Sequence, residues 1–415
     1  MGLELDVYAG EAPNGTKLAT LTDATDKSCA ISLHEAGVGS FTIPRSSAQA
    51  TASIIRQGNL VKVRLTEVSA SPIFGFYMDV GRFDLVSMGE EGAETLTFGG
   101  KGVRSYLGRA IMWNATYLTG GTGPTAGVWA LGNAKAGAIL YRIVSEAMSL
   151  TRPQRPLPDL SLSFTAAYSS AGGRTPEAWL DTPQTATWTA DVGEYLDVVI
   201  DRLLVDVEPM VIWMEPNLTL NAVNSWGSDR TSTGFASGKV RLAKGVNIAT
   251  ALTRELADSR AKSHALVAGD SGTYATVVDF DPLAFRLGYD VRETFVTGKG
   301  TGTSSLQAFG AKDLAERKRN ADALRLGIPF GDDALNGIYL PGPPAYSGHY
   351  WVGDTITVHT GNGAHDYSNS PQRIVELALG EDEAGGVLVE ATFGSTYSGR
   401  SLAQIRDAIK GTDRR

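Results

Sequence analysis

The stretch that most limits what this chain can fold into runs from Gly39 to Leu107. Strand signals fill it. LVKVRL (Leu60–Leu65) alternates apolar and basic residues with the period of two expected of a half-buried strand. FGFYMDVGRFDL (Phe74–Leu85) is aromatic-rich and interrupted by Gly75 and Gly81, which suit sharp bends or bulges. ETLTFGG (Glu94–Gly100) places apolar side chains at every second position. Turns of Gly, Ser and Glu separate the three runs. A meander of this kind forms a small antiparallel barrel or a sandwich. No single residue in it identifies a chemistry, so a function has to come from the rest of the chain.

A chain of 415 residues is too long for one ordinary domain, and about two to four are expected. The 42% hydrophobic and 20% charged fractions are those of a folded soluble protein. Glycine, 48 of 415 residues, exceeds its usual share of about 7%, which favours turns over long helices. The net charge of −8 argues against a duplex-DNA binder, which would carry a basic patch. It is compatible with a surface past which nucleic acid slides, where like charge prevents sticking. One cysteine, Cys29, allows neither an intrachain disulfide nor a Cys-based zinc site, and is expected as a small buried apolar residue. No basic N-terminal region precedes an apolar core, so no signal peptide is expected. No run approaches the ~18 apolar residues of a membrane span. Three N-x-Thr triplets, at Asn14, Asn114 and Asn217, read as chance matches.

LELDVYAG and SCAISLHEAG, within residues 1–38, read as short strands that join the meander. GKGVRSYLGRA (Gly100–Ala110) reads as a solvated turn, with Arg104 and Arg109 flanking Tyr106 and Leu107. WNATYLTGGTGPTAG (Trp113–Gly127) is a loop by composition. Asn133–Thr151 places Ala136, Ile139, Leu140, Ile143, Val144, Ala147 and Met148 on one face of a helix, which Pro153, Pro156 and Pro158 cannot extend. Residues 152–187 read as a long irregular loop with one strand over 160–166. Asp191–Asp206 is the clearest helix, with Asp191 and Glu194 at capping-box spacing and a stripe of Tyr195, Leu196, Val199, Ile200, Leu203 and Leu204. PMVIWMEP (Pro209–Pro216) is a strand. Lys239–Phe280 reads strand, helix, strand, tight turn, strand. The glycine-rich linker Val296–Leu306 lacks the G-x-x-x-x-G-K-[ST] order of a phosphate cradle. Ala311–Gly327 reads as a charged, exposed helix. A last β region starts near Gly337, with runs at Tyr350–His359, Gln372–Gly380 and Gly385–Gly394. A short helix, Ser401–Ile409, has a Ser401/Gln404 capping box, and a basic tail follows.

The last β region echoes the first. Gln57-Gly58-Asn59-Leu60-Val61-Lys62-Val63 lays on Val352-Gly353-Asp354-Thr355-Ile356-Thr357-Val358. Gly81–Leu85 resembles Gln372–Leu377, and Thr97-Phe98-Gly99 recurs as Thr392-Phe393-Gly394. Gly58 and Phe98 stand 40 residues apart, as do Gly353 and Phe393. Two similar barrels separated by an inserted middle would account for this.

Candidate chemistry is thin. Gly269-Asp270-Ser271-Gly272 is similar to the nucleophile segment of trypsin-like proteases. Thr273-Tyr274 follows it, however, and neither His34 nor His264 has the expected setting; Asp-Ser-Gly is also good hairpin-turn chemistry. His349, His359 and His365 with Asp354 and Asp366 offer metal-type ligands, without paired-ligand spacing. Asp332-Asp333 lacks the alternating carboxylates of a calcium loop. No catalytic, cofactor-binding or metal residue is assigned, and the chain is not expected to be an enzyme.

GSFTIPR, the Gly-turn before V-K-V-R, FGFYMDVGRFDL and TLTFGGKGVRSYLGRA together resemble the N-terminal barrel of the tail-hub (baseplate-hub) proteins of long-tailed bacteriophages. The exit pattern falls on Phe98-Gly99-Gly100-Lys101-Gly102 and Leu107-Gly108-Arg109, and VGDTITV…RIVELAL…GVLVEATFG resembles the second barrel of that family. The match covers about the first 110 and last 60 residues; the middle agrees in order of elements, and the polar insert at 152–187 departs from it. The resemblance implies a mainly β fold with α+β insertions. Two similar small antiparallel barrels, 1–107 and 337–400, would flank a helical and irregular insertion, 108–207, and an α+β insertion, 208–336. Residues 401–415 would form a terminal helix and tail. It implies a homotrimer, in which three chains with two barrels each make a pseudo-sixfold ring that meets a sixfold tail tube. Gly58, Val61, Val63, Phe98, Gly353, Ile356, Val358 and Phe393 would then form the ring. The implied partners are the distal tail protein, the tape-measure protein and fibre or spike proteins, with viral DNA passing through without specific binding. No cofactor is implied. The location would be the tail tip of a virion, assembled in the bacterial cytoplasm. Two rivals stand beside this reading. One is a tail-associated cell-wall hydrolase. The other is a carbohydrate-binding receptor module, using Trp179, Trp188 or Trp226.

Overall fold

The computed structural model of the chain describes residues 2–10, 15–33, 35–66, 71–78, 95–112, 128–131, 136–148, 157, 159–164, 188–191, 193–206, 211–223, 227–231, 241–243, 253–256, 262–269, 272–278, 293–297, 302–320, 322–328, 350–359, 370–381 and 387–394. The chain opens with β1 (Leu3–Tyr8), β2 (Lys17–Thr20), β3 (Thr25–Ser32), β4 (Val38–Pro44), β5 (Leu60–Leu65), β6 (Phe74–Tyr77) and β7 (Thr95–Lys101), and leaves through a 3₁₀ helix, Val103–Arg109. Next come β8 (Val128–Leu131), α1 (Ala136–Met148), β9 (Ser161–Leu162), β10 (Trp188–Asp191), α2 (Leu196–Asp206), β11 (Val211–Met214) and β12 (Thr219–Val223). Then follow β13 (Arg241–Ala243), β14 (Thr253–Leu256), β15 (His264–Ala268), β16 (Tyr274–Val278), β17 (Glu293–Thr297) and α3 (Thr303–Asn320). The last strands are β18 (Asp322–Ile328), β19 (Thr355–His359), β20 (Ser370–Glu381) and β21 (Val387–Gly394).

The fold is mainly β with α+β insertions, as the sequence indicates. Among the described residues no barrel closes. The opening meander divides between two sheets instead. One has the order β2-β1-β5-β6. The other has nine strands, in which β14-β18-β21-β20-β3-β4-β7 run side by side and β19 joins β20 to β13. The first and last β regions therefore share a sheet, joined where Ala30 of β3 faces Ala378 of β20. Both strands send buried apolar residues into one core, Cys29 from β3 and Leu377 and Leu379 from β20. Pairing them covers one core with both. Phe41, Ile43, Phe76 and Tyr350 fill that core.

β5 departs from a half-buried strand. Its apolar face, Val61, Val63 and Leu65, enters the main core, while Leu60 on its other face enters a second core with Tyr77. Lys62 lies between, 8% exposed, with its ammonium 4.3 Å from the centre of the Tyr8 ring. Burial lowers its pKa, and the Asp6 carboxylate opposes that shift.

The second core packs α1 and α2 against β11, β12 and the 3₁₀ helix. Gly100–Ala110 is thus not a solvated turn: Val103, Arg104, Tyr106 and Leu107 are buried. Arg104 reaches Asp201 of α2 at 2.5 Å, and the Arg109 guanidinium lies 4.7 and 5.2 Å from the rings of Tyr77 and Tyr106. Charged ends on apolar stems look solvated in sequence and are held by partners that only the fold supplies. The expected stripe of α2 holds for Leu196, Val199, Ile200 and Leu203, all fully buried. Its expected cap does not. Asp191 pairs with Val128 in the β10–β8 ladder, the helix starts at Leu196, and Tyr195 is 58% exposed.

A third, small core lies between α3 and the sheet β16-β15-β17. Gly310 lets the helix approach closely, because a Cβ there would stand 2.6 Å from Val267 and 2.8 Å from Val277. The hairpin β15–β16 follows the sequence reading, but the helix expected before it is absent among the described residues, where β14 runs instead. α3 also ends earlier than the charged pattern suggests. ADALRLGI alternates, and becomes β18 because β14 and β21 offer it a ladder on each side. The segments 113–127, 152–156, 165–187 and 401–409 lie outside the described residues.

Cys29 is 2% exposed in the main core, and burial pushes its thiol up to about 12. The folded protein should therefore resist a water-soluble thiol reagent at pH 8. Denaturant should release one reactive thiol, counted by the absorbance of the displaced chromophore.

Candidate functional site

The two aligned segments adopt the same local structure. Gly58 and Gly353 both sit in the left-handed region, with φ of 87° and 97°. The next residue, Asn59 or Asp354, donates its N–H to the carbonyl three residues back, Arg56 or Trp351, at 3.1 Å in both. The glycine N–H donates across the hairpin to Met78 O at 3.0 Å in one copy and to Ile374 O at 2.7 Å in the other. Met78 and Ile374 return the bond to Asn59 O and Asp354 O, each at 2.9 Å. The strands that follow, β5 and β19, pair antiparallel with β6 and β20. Residues Gly81–Leu85 of the echo lie outside the described residues.

Each motif buries the polar side chain after its glycine and uses it as a clasp. Asn59, 3% exposed, donates to Ser53 O at 3.0 Å and Ile54 O at 2.9 Å, and accepts from Gly10 N at 3.1 Å. Asp354, fully buried, accepts from Ser228 N at 2.6 Å, Arg230 Nε at 2.9 Å and Trp351 N at 3.0 Å. The same position thus lashes Gly10, just past β1, to one hairpin and residues 228–230 to the other. Sequence alignment of the two copies marks Asn59 and Asp354; Gly10, Ser228 and Arg230 are distant in the chain and carry no local signal.

The residues expected to form a ring lie in the two turns and in β5, β7, β19 and β21. Gly58 and Gly353 make the turns. Val61, Val63, Phe98, Ile356, Val358 and Phe393 are all 4% exposed or less, inside the chain's own core. They set the shape of the two hairpins; a contact with another chain has to come from other faces.

Among the described residues the candidate chemical groups do not assemble. Asp354, the buried member of the histidine–aspartate group, is engaged by Arg230, and His359 ends β19 opposite Ala243. His349, His365, Asp366, Asp332 and Asp333 lie outside the described residues, among which no group of three metal-type ligands occurs. Asp270 and Ser271 lie outside them too; the flanking residues close the β15–β16 hairpin through Gly269 N to Thr273 O at 2.8 Å, the turn geometry anticipated for Asp-Ser-Gly. His264 stands beside Ser263, with Nδ1 2.8 Å from the hydroxyl. Trp188 is in β10, and Trp179 and Trp226 are outside the described residues.

Next to the second motif, Tyr350 is fully buried and its hydroxyl has no hydrogen-bond partner among the described residues, while burial raises its pKa. An unpartnered buried hydroxyl costs about 1–3 kcal/mol. Tyr350→Phe is therefore expected to raise the denaturation midpoint, by about 1 kcal/mol in stability.

No protein-family model matches this chain, and no curated protein matches it in sequence. Solved structures do match along its whole length. The 43 kDa tail protein of prophage MuSo2 from Shewanella oneidensis superposes with a TM-score of 0.61 at 15% identity, covering 94% of this chain and 98% of the other. A tail protein from Neisseria meningitidis gives 0.58 at 13%, covering 98% and 99%. The prophage tail protein gp18 from Listeria monocytogenes gives 0.51 at 9%, covering all of both chains. With an internal pair of turn-and-hairpin motifs, one in the four-stranded and one in the nine-stranded sheet, this chain has the fold of phage tail proteins.

Proposed function

We propose that this chain is a structural protein of a bacteriophage tail, the hub at the tail tip. Three copies form a ring, joined on one side to the sixfold tail tube and on the other to the distal tip, spike or fibres. Genome passes through the ring during entry. The observation that carries this reading is the repeated motif. Gly58-Asn59 and Gly353-Asp354 place equivalent hairpins twice in one chain, with matching φ and matching backbone bonds. Three such chains present six near-equivalent hairpins, the number a sixfold tube requires of a threefold ring. The match in fold to prophage tail proteins supports it. So does the net charge of −8, which keeps passing DNA from adhering. The partners of such a ring are the distal tail protein, the end of the tape-measure protein and fibre or spike proteins, in the virion.

Mass photometry of the purified protein should give particles of three chains, and cryo-electron microscopy a ring with an open lumen. Compact monomers at every concentration would sink the proposal.

A further inference from the structure

The sheet β16-β15-β17 is apolar on both faces. Its inner face, with Ala265, Val267, Ala275 and Val296, meets Leu306 and Leu314 of α3. Its outer face is set out by the strand register in three rows: Val278–His264–Glu293, Thr276–Leu266–Phe295 and Tyr274–Ala268–Thr297. There Tyr274 is 61% exposed, Phe295 60%, Val278 47% and Leu266 41%. A strand with large apolar residues on both sides is suited to burial on both sides, and the single chain buries one.

The exposed parts of these four side chains amount to roughly 400 Å² of apolar surface, the size of the patches that mark interaction sites. A specific interface buries about 800 Å² per partner, somewhat over half of it apolar, so this face supplies about the apolar centre of one interface.

Charge points to the occupant. Copies of a chain with net charge −8 repel one another, so they must meet where charge is low. Of the outer-face positions, only Glu293 bears a carboxylate, none bears lysine or arginine, and His264 stands directly across from Glu293. A strongly charged partner would find little to recognise here. A ring also needs a heterologous contact, two different patches on each copy. A second exposed apolar group is present where the 3₁₀ helix hands over to α2: Ile111, 42% exposed, is bridged to Tyr195, 58% exposed, and Val198, 40% exposed, follows on the helix.

We propose that the outer face of β16-β15-β17 is the contact between copies of this chain, seated against the Ile111–Tyr195–Val198 patch of the next copy. The inference rests on the ring reading.

The test uses full-length chains with one patch altered in each. Phe295→Asp should reduce the particle mass about threefold, from ring to single chain, and so should Tyr195→Asp. Both side chains are largely in solvent, so their melting curves should stay close to the parent; Tyr274→Lys provides a second variant of the first face. Mixed in equal amounts, Phe295→Asp and Tyr195→Asp chains retain one good copy of each patch between them. Cross-linking should then trap a mixed dimer that neither variant forms alone. If the parent forms rings and Phe295→Asp and Tyr274→Lys form them equally well, this contact is wrong and the ring stands. If each variant is monomeric but the mixture gives no mixed dimer, the pairing of these two patches is wrong. A parent chain that is itself monomeric removes the ring reading as well.

Discussion

Replacing Asp354 with alanine should destabilise the protein by about 3–5 kcal/mol, the cost of leaving one half of a buried ion pair without the other. The side chain of Asp354 is 1% exposed and that of Arg230 16%. Asp354 also serves two backbone donors, Ser228 N and Trp351 N, so alanine strands three donors at once. Asp354→Asn retains an acceptor but turns an amide toward guanidinium or backbone N–H, and should cost about 1–3 kcal/mol. A double change, Asp354→Leu with Arg230→Met, removes both charges. It should recover part of the loss, because an apolar pair replaces a buried ion pair at little cost. Recovery stays incomplete, since the two backbone N–H groups still lack an acceptor. Denaturant midpoints of the parent, the two single variants and the double variant measure each step. A loss below about 1 kcal/mol for Asp354→Ala would mean that the clasp is solvated rather than buried.

The clasp illustrates which parts of this protein are legible from its residues. The turn glycine and the polar residue after it align between the two copies without any structure. The left-handed φ at Gly58 and Gly353 gives that alignment its cause. The stripe of α1 and the burial of Cys29 were equally readable, because side-chain period and size are local properties. Arg230 was not, since its bond to Asp354 spans most of the middle of the chain. Nor was the pairing of β3 with β20, which joins the first and last β regions in one sheet. Alternation in Val61 and Val63, or in Ile356 and Val358, says that a face is covered; it does not say by what. Here the cover is the chain's own core. The apolar outer face of β15–β17 carries the same signal in Leu266 and Phe295, and there the two side chains stay 41% and 60% exposed. Local pattern also misled where tertiary pairing won: Asp322–Ile328 follows a charged helix and joins the sheet as a strand, because both of its edges find partners.

Gly39→Ala should cost about 3 kcal/mol although Gly39 lies in a strand and has no unusual φ, because overpacking a closed core forces side chains off their rotamers. A Cβ there would clash with the edge of the Phe76 ring, 2.8 Å from Cγ and nearer still to Cδ1 and Cε1. Phe76 is fully buried and cannot swing away. Gly39 belongs to β4 of the nine-stranded sheet and Phe76 to β6 of the four-stranded one, so this contact sets how closely the two sheets stack. Phe76→Ala should cost about 3–5 kcal/mol by leaving a cavity. The two changes together should cost less than their sum, by about 1–3 kcal/mol, since the new methyl group enters space that the ring vacated. Four denaturation curves close that cycle. Strict additivity would show that the sheets adjust their spacing independently of this pair. If three chains form the proposed ring, whose hairpins would have to match a tube of fixed dimensions, such freedom would have to be restrained elsewhere. A negative coupling places the restraint here, in a glycine chosen for the thickness of the ring opposite it.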